Sequence, residues 1–116
     1  MNYDVEYYEL PDGTRPAEEF ILEQDVKMRA KIFLALEFLE EKGPQLREPF
    51  SKPLGDGIFE VRAKQGSEIR RVLYFFVVGR KVILTNGFVK KTQKTPVREI
   101  ERAKRYREDY QRREEH

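Results

Sequence analysis

Between Ile58 and Phe88 three strand-forming runs succeed one another with only short turns between them. A parallel connection needs a crossover of a dozen or more residues, so these runs must fold as an antiparallel meander. Ile58 to Lys64 alternates, with Phe59, Val61 and Ala63 on one face and Glu60, Arg62 and Lys64 on the other. Gln65-Gly66-Ser67 turns the chain. Ile69 to Val78 is apolar on both faces beyond Arg71, the mark of a central strand, and Gly79-Arg80 leads into a last strand, Lys81 to Phe88.

The first half reads differently. Tyr3 to Leu10 alternates loosely as a short strand and ends at the turn residues Pro11-Asp12-Gly13. Pro16 suits the first position of a helix reaching to about Glu23, with Thr14 as a candidate cap. Asp25 caps a longer helix, Val26 to Lys42, in which Met28, Ile32, Ala35, Leu36 and Leu39 recur at helical spacing. Phe33, Leu34 and Phe38 widen that stripe, and Gly43-Pro44 stops the helix. Gln45 to Gly57, with two prolines and two glycines, reads as an ordered loop. Thr95-Pro96 opens a final helix, Val97 to about Arg113, whose narrow stripe is Val97, Ile100, Ala103, Tyr106 and Tyr110. The expected fold is one α+β domain over residues 1–116, a small antiparallel sheet with an N-terminal helical hairpin packed on one face and a C-terminal helix.

Composition narrows the chemistry. The chain has no Cys, and its one His is the last residue, His116. Thiolate nucleophiles, a Ser-His-Asp triad and a histidine- or cysteine-ligated metal are thereby excluded. The start, Met1 to Glu6, lacks the basic-then-apolar order of a secretory signal. The longest apolar run, Val72 to Val78, is far short of the about 20 residues that span a bilayer. A soluble cytoplasmic protein without a membrane partner is the expectation.

The net charge of +2 conceals a split: residues 1–50 hold 6 basic and 12 acidic side chains, residues 51–116 hold 17 and 9. From Lys52 to Lys94 the count is ten basic to three acidic. Arg62 and Lys64 share a strand face, Arg70 and Arg71 open the next strand, and Lys90, Lys91 and Lys94 follow the last. Neighbouring strands lie about 4.8 Å apart, so these cations can converge on a phosphate-sized patch. A solvated basic sheet face gives the same pattern. The C-terminal helix interleaves its cations with Glu99, Glu101, Glu108 and Asp109 and reads as a salt-bridge-laced surface helix.

The run Pro53-Leu54-Gly55-Asp56-Gly57-Ile58-Phe59-Glu60-Val61-Arg62, then Arg71-Val72-Leu73-Tyr74, then Asn86-Gly87-Phe88-Val89-Lys90-Lys91-Thr92-Gln93-Lys94-Thr95-Pro96, resembles HigB-like toxins of the RelE/ParE superfamily. These are the toxin halves of type II toxin–antitoxin pairs. The resemblance implies ribosome-dependent mRNA cleavage with no cofactor and no metal, the RNA's own 2′-hydroxyl acting as nucleophile. It implies two further partners: a cognate helix-turn-helix antitoxin, and operator DNA met only through the antitoxin complex.

Carried over by position, Arg71 is assigned to transition-state charge, Arg62 to phosphate orientation and Lys90 to the leaving group or developing charge. Lys52, Lys64, Arg70, Lys91 and Lys94 are assigned to the RNA backbone. Two positions depart from the pattern: Arg70 replaces an aromatic often found there, and no tyrosine follows Lys90 closely. The general base stays open. Within the superfamily, a ParE-like gyrase poison and an inactive antitoxin-binding repressor subunit are the alternative readings.

Overall fold

A computed structural model describes residues 2–115. The terminal histidine, His116, lies outside the described residues. The order is β1 (Asp4–Tyr7), α1 (Pro16–Leu22), α2 (Val26–Lys42), a 3-10 turn (Gly43–Gln45), β2 (Ser51–Gly55), β3 (Ile58–Gln65), β4 (Glu68–Val77), β5 (Lys81–Val89) and α3 (Val97–Glu114). The five strands form one sheet in the order β1-β5-β4-β3-β2.

The meander expected between Ile58 and Phe88 is β3-β4-β5, antiparallel throughout. β1 joins it parallel to β5, with Val5 beside Val82 and Tyr7 beside Leu84. The helical hairpin between β1 and β2 lets the chain cross from one sheet edge to the other. The expected loop at 45–57 contains a further strand, β2, antiparallel to β3. Pro53 and Gly55 disguise it, and the register shifts between them. An edge strand tolerates a proline because it needs donors on one side only.

Helices cover both faces. Ala17 and Ile21 of α1 pack with Met28, Ile32, Ala35, Leu36 and Leu39 of α2 over Val61, Ala63, Val72, Tyr74, Val82 and Leu84. The opposite face packs Ile58, Leu73, Phe75, Ile83 and Phe88 against Ala103, Tyr106 and Tyr110 of α3. The expectation that Phe33 and Leu34 widen the buried stripe of α2 fails: they are 42% and 45% exposed. Val97, expected in the α3 stripe, is 71% exposed.

Asp25 caps α2 as expected, its Oδ1 accepting the Met28 N–H at 2.8 Å. Thr14 does not cap α1, whose N-cap is Arg15. Gly87 belongs to no turn; it lies inside β5, where a Cβ would stand 2.3 Å from the Phe20 ring of α1. The absence of a side chain lets α1 settle on the sheet there.

Candidate functional site

The α3-facing side of β3 carries Glu60, Arg62 and Lys64 at alternate positions. Arg62 stands directly opposite Arg71 of β4, and Lys52 of β2 directly opposite Glu60. Two arginines paired across strands repel. Glu60 resolves this: its Oε2 accepts from Arg71 Nη1 at 2.5 Å and from Arg62 Nε at 3.0 Å.

The other oxygen, Oε1, accepts from the Thr95 hydroxyl at 2.5 Å, and Thr95 Oγ1 accepts from Arg71 Nη1 at 3.0 Å. Thr95, one step before Pro96 at the start of α3, thus ties the β5–α3 connection to the sheet. That connection carries Lys90, Lys91 and Lys94. Glu60 is fully buried and Arg71 is 1% exposed. Nε and Nη2 of Arg71 have no hydrogen-bond partner among the described residues.

Lys90 lies just past β5, where its backbone N–H donates to the Ile69 carbonyl at 3.1 Å. The residue is half-buried, and its ammonium is held below the ordinary lysine range. Desolvation contributes most, followed by the charges of Arg71 and Arg62; Glu60 pulls the other way, and Lys52 adds the least. Four cations therefore surround one carboxylate. Excess positive charge of this kind favours an incoming anion.

The structure sorts the cations singled out in the sequence. Arg62, Arg71, Lys90 and Lys52 converge. Lys64 is exposed on the same strand face, farther towards the β3–β4 turn. Lys91 and Lys94 are exposed on the β5–α3 connection. None of Lys52, Lys64, Lys90, Lys91 and Lys94 has an ion pair among the described residues.

Arg70 lies elsewhere. Strand alternation sends it to the opposite face from Arg71, where Nε donates to Gln24 Oε1 at 2.7 Å and Nη2 to Glu68 Oε1 at 2.8 Å. It braces the α1–α2 junction and is not part of the cluster. Arg71 is near the expected place but under the surface. As it stands, it reaches an anion through its charge and through Glu60, not by contact.

Glu60 is the residue that charge counting passed over. A lone acid at alternate spacing from Arg62 on an otherwise basic strand face was the available signal.

The cations of α3 behave differently. Arg102 pairs with Glu99, Arg107 and Lys104 with Asp56, and Arg113 with Asp109. This is the salt-bridge lacing expected of that helix. Among the described residues no group of three or more His, Cys, Asp or Glu is placed to hold a metal ion. No described helix is long and apolar enough to cross a membrane.

Fold and cluster together define a small α+β domain that gathers cations on the half of the sheet left open beside its C-terminal helix. The chain belongs to the family described as "Phage derived protein Gp49-like (DUF891)", whose model matches residues 19–108. That family is associated with the toxins of toxin–antitoxin pairs of the RelE/HigB kind, and the match is to the Gp49-like family rather than to HigB itself. No curated protein matches the chain. The matched span includes α2, the whole β2–β5 sheet and most of α3, and hence every residue of the cation cluster.

Proposed function

We propose that this chain is the toxin of a type II toxin–antitoxin pair and that it cleaves mRNA on the ribosome without a metal. The carrying observation is the set of four cations about the buried Glu60 carboxylate. In this reading Arg62, half-buried and steered by Glu60, binds a non-bridging oxygen of the scissile phosphate. The RNA 2′-oxygen forms a bond to phosphorus as the bond to the 5′-oxygen breaks, which leaves a cyclic phosphate. The 2′ proton leaves to water, and Lys90 protonates the departing 5′-oxygen.

A lysine with a lowered pKa is a stronger acid than usual, which suits that step. Arg71 is a positioning residue: it fixes Glu60, which orients Arg62, and it adds charge from below. A donor aimed at transition-state charge is worth about 3–4 kcal/mol. Lys52, Lys64, Lys91 and Lys94 hold the flanking RNA backbone. A helix-turn-helix antitoxin neutralises the chain in the cytoplasm and carries the complex to operator DNA.

Primer extension on ribosome-bound mRNA, with and without the protein, tests the reading. Cuts that require both ribosome and protein, and that fall at least 100-fold in Arg62→Gln, are the expected result. Gyrase-linked DNA breaks without mRNA cuts would replace it with a gyrase poison. Antitoxin binding with neither activity would leave a repressor subunit.

A further inference from the structure

The two carboxylate oxygens of Glu60 are used differently. Oε2 takes both arginines, Arg71 Nη1 at 2.5 Å and Arg62 Nε at 3.0 Å. Oε1 takes a neutral donor, the Thr95 hydroxyl, at 2.5 Å. That hydroxyl accepts from Arg71 Nη1 at 3.0 Å, so its own proton is committed to Glu60. A buried carboxylate oxygen left without a donor is costly. A hydroxyl fills this place although lysines stand close by.

The lysine on that side is Lys90. Oε1 is met from the β5–α3 connection, which Lys90 begins, whereas Lys52 comes to Glu60 from β2. A bulge aims Lys90 there. Val72 pairs with Gly87 but Tyr74 with Leu84, so Thr85 and Asn86 together oppose Leu73. The extra residue reverses the alternation along β5. Phe88 is thereby brought opposite Arg71 on the α3 side, and Lys90, two residues on, follows it. The connection is pinned at both ends, by Thr95 on Glu60 and by Asn86 Nδ2, which donates to Glu99 Oε1 at 3.0 Å. Glu60 acts on Lys90 through its charge, yet no ion pair joins them among the described residues.

We propose that Thr95 is a positioning residue, whose neutral hydroxyl fills Oε1 and so keeps the Lys90 ammonium out of an ion pair with Glu60 and free for an incoming anion. Without the hydroxyl, Oε1 draws in the cation mounted on the same connection. A lysine paired in this way holds its proton more tightly and faces the carboxylate instead of the substrate. Only the use made of the Lys90 proton rests on the mRNA-cleavage reading.

The full chain, labelled with 13C at the lysine ε-carbons, is titrated by NMR. Lys90 is the signal that Lys90→Arg removes. The groups acting on it are Arg71 from β4, Glu60 and Arg62 from β3 and Lys52 from β2, and none of them changes in the Thr95 variants. In Thr95→Ala the Lys90 titration should move up towards the ordinary lysine range. Thr95→Ser, which restores the hydroxyl, should bring it back. Thr95→Val, which keeps the volume but not the donor, should behave as Thr95→Ala, and either variant that folds carries the test. In primer extension, Thr95→Ala should lower kcat about 100-fold with KM unchanged, and Thr95→Ser should restore it.

An unmoved Lys90 titration in the folded variants would overturn the proposal, because water would then have replaced the hydroxyl. So would a Thr95→Ser chain that titrates like Thr95→Ala, or undiminished cleavage by Thr95→Ala. Loss of the fold in both Thr95→Ala and Thr95→Val would overturn it too, making Thr95 structural alone. A titration that moves as expected in a chain whose native form cuts no mRNA removes the cleavage reading alone. Native cleavage with a Lys90 titration that ignores Thr95 removes this proposal alone.

Discussion

Glu60 and Arg71 form a buried ion pair in which each partner is costly without the other. Removing one leaves an uncompensated buried charge, at about 3–5 kcal/mol, whereas replacing both with apolar groups of similar size is often neutral. Arg71→Met and Glu60→Leu should therefore each destabilise the fold by that amount, and the double variant should recover most of the loss in urea unfolding. Two additive losses would show that the pair is not the unit. The recovered double variant is the useful control for function, since it is folded but lacks the carboxylate that steers Arg62.

Lys90 supplies a pH signature. Its pKa in the folded protein lies below the lysine value of 10.5, so it loses its proton earlier than an ordinary lysine as pH rises. A general acid works only while protonated. Cleavage should therefore fall on an alkaline limb that begins below pH 10.5, and Lys90→Arg, which keeps its proton, should flatten that limb. An unchanged limb in the arginine variant would take Lys90 out of proton transfer.

At the scale of elements, the end of β1 is locked to α3. Tyr8 stacks on Tyr106 with ring centroids 4.7 Å apart, and its hydroxyl donates to Asp109 Oδ2 at 2.6 Å. Burial, then the bond to that carboxylate, pushes the Tyr8 pKa from 10.0 up to about 12. The same bond, with Arg113 beside it, holds Asp109 below the usual carboxylate range. A group with a raised folded pKa stabilises fully below its unfolded pKa and loses that contribution as pH climbs towards the folded one. Native protein should exceed Tyr8→Phe in stability by about 1 kcal/mol at pH 7, and the gap should close between pH 10 and pH 12. Urea unfolding of both proteins across that interval measures it.

This lock was not legible in the sequence, because it joins residues 101 positions apart. Local periodicity did predict α2, the β3–β5 meander and α3. It missed β2, whose proline and glycines are tolerated only because the strand lies at an edge, and it could not foresee the parallel β1–β5 pairing. It also buried Phe33 and Leu34, because apolar identity does not reveal that a helix lies against a narrow sheet with one flank uncovered. The candidate site was half legible. Strand alternation placed Arg62 and Lys64 on one face, but putting Arg71 beneath that face and Arg70 behind it required the cross-strand register.

For the whole molecule, the charge split between halves becomes an arrangement in space. The acidic first half supplies the helical hairpin. The basic second half divides into cations paired with carboxylates, on α3 and in the Arg62–Glu60–Arg71 group, and lysines without an ion pair among the described residues, Lys52 and Lys90 beside Glu60 and Lys91 and Lys94 on the β5–α3 connection. Equal formal charge therefore has unequal consequences for a polyanion. A cation already neutralised by a carboxylate releases little bound salt from RNA when it approaches a phosphate. An unpaired one displaces a counterion, with a log–log salt slope of about 0.7 per single-strand phosphate. Lys91→Ala should thus lower the salt slope of RNA binding by about 0.7. Arg107→Ala, which removes a cation paired with Asp56 at 3.3 Å, should leave the slope unchanged although the net charge falls equally. Filter binding from low to moderate salt separates the two. Equal slopes for both variants would mean that affinity follows total charge, and the cluster around Glu60 would lose its claim to be the RNA surface.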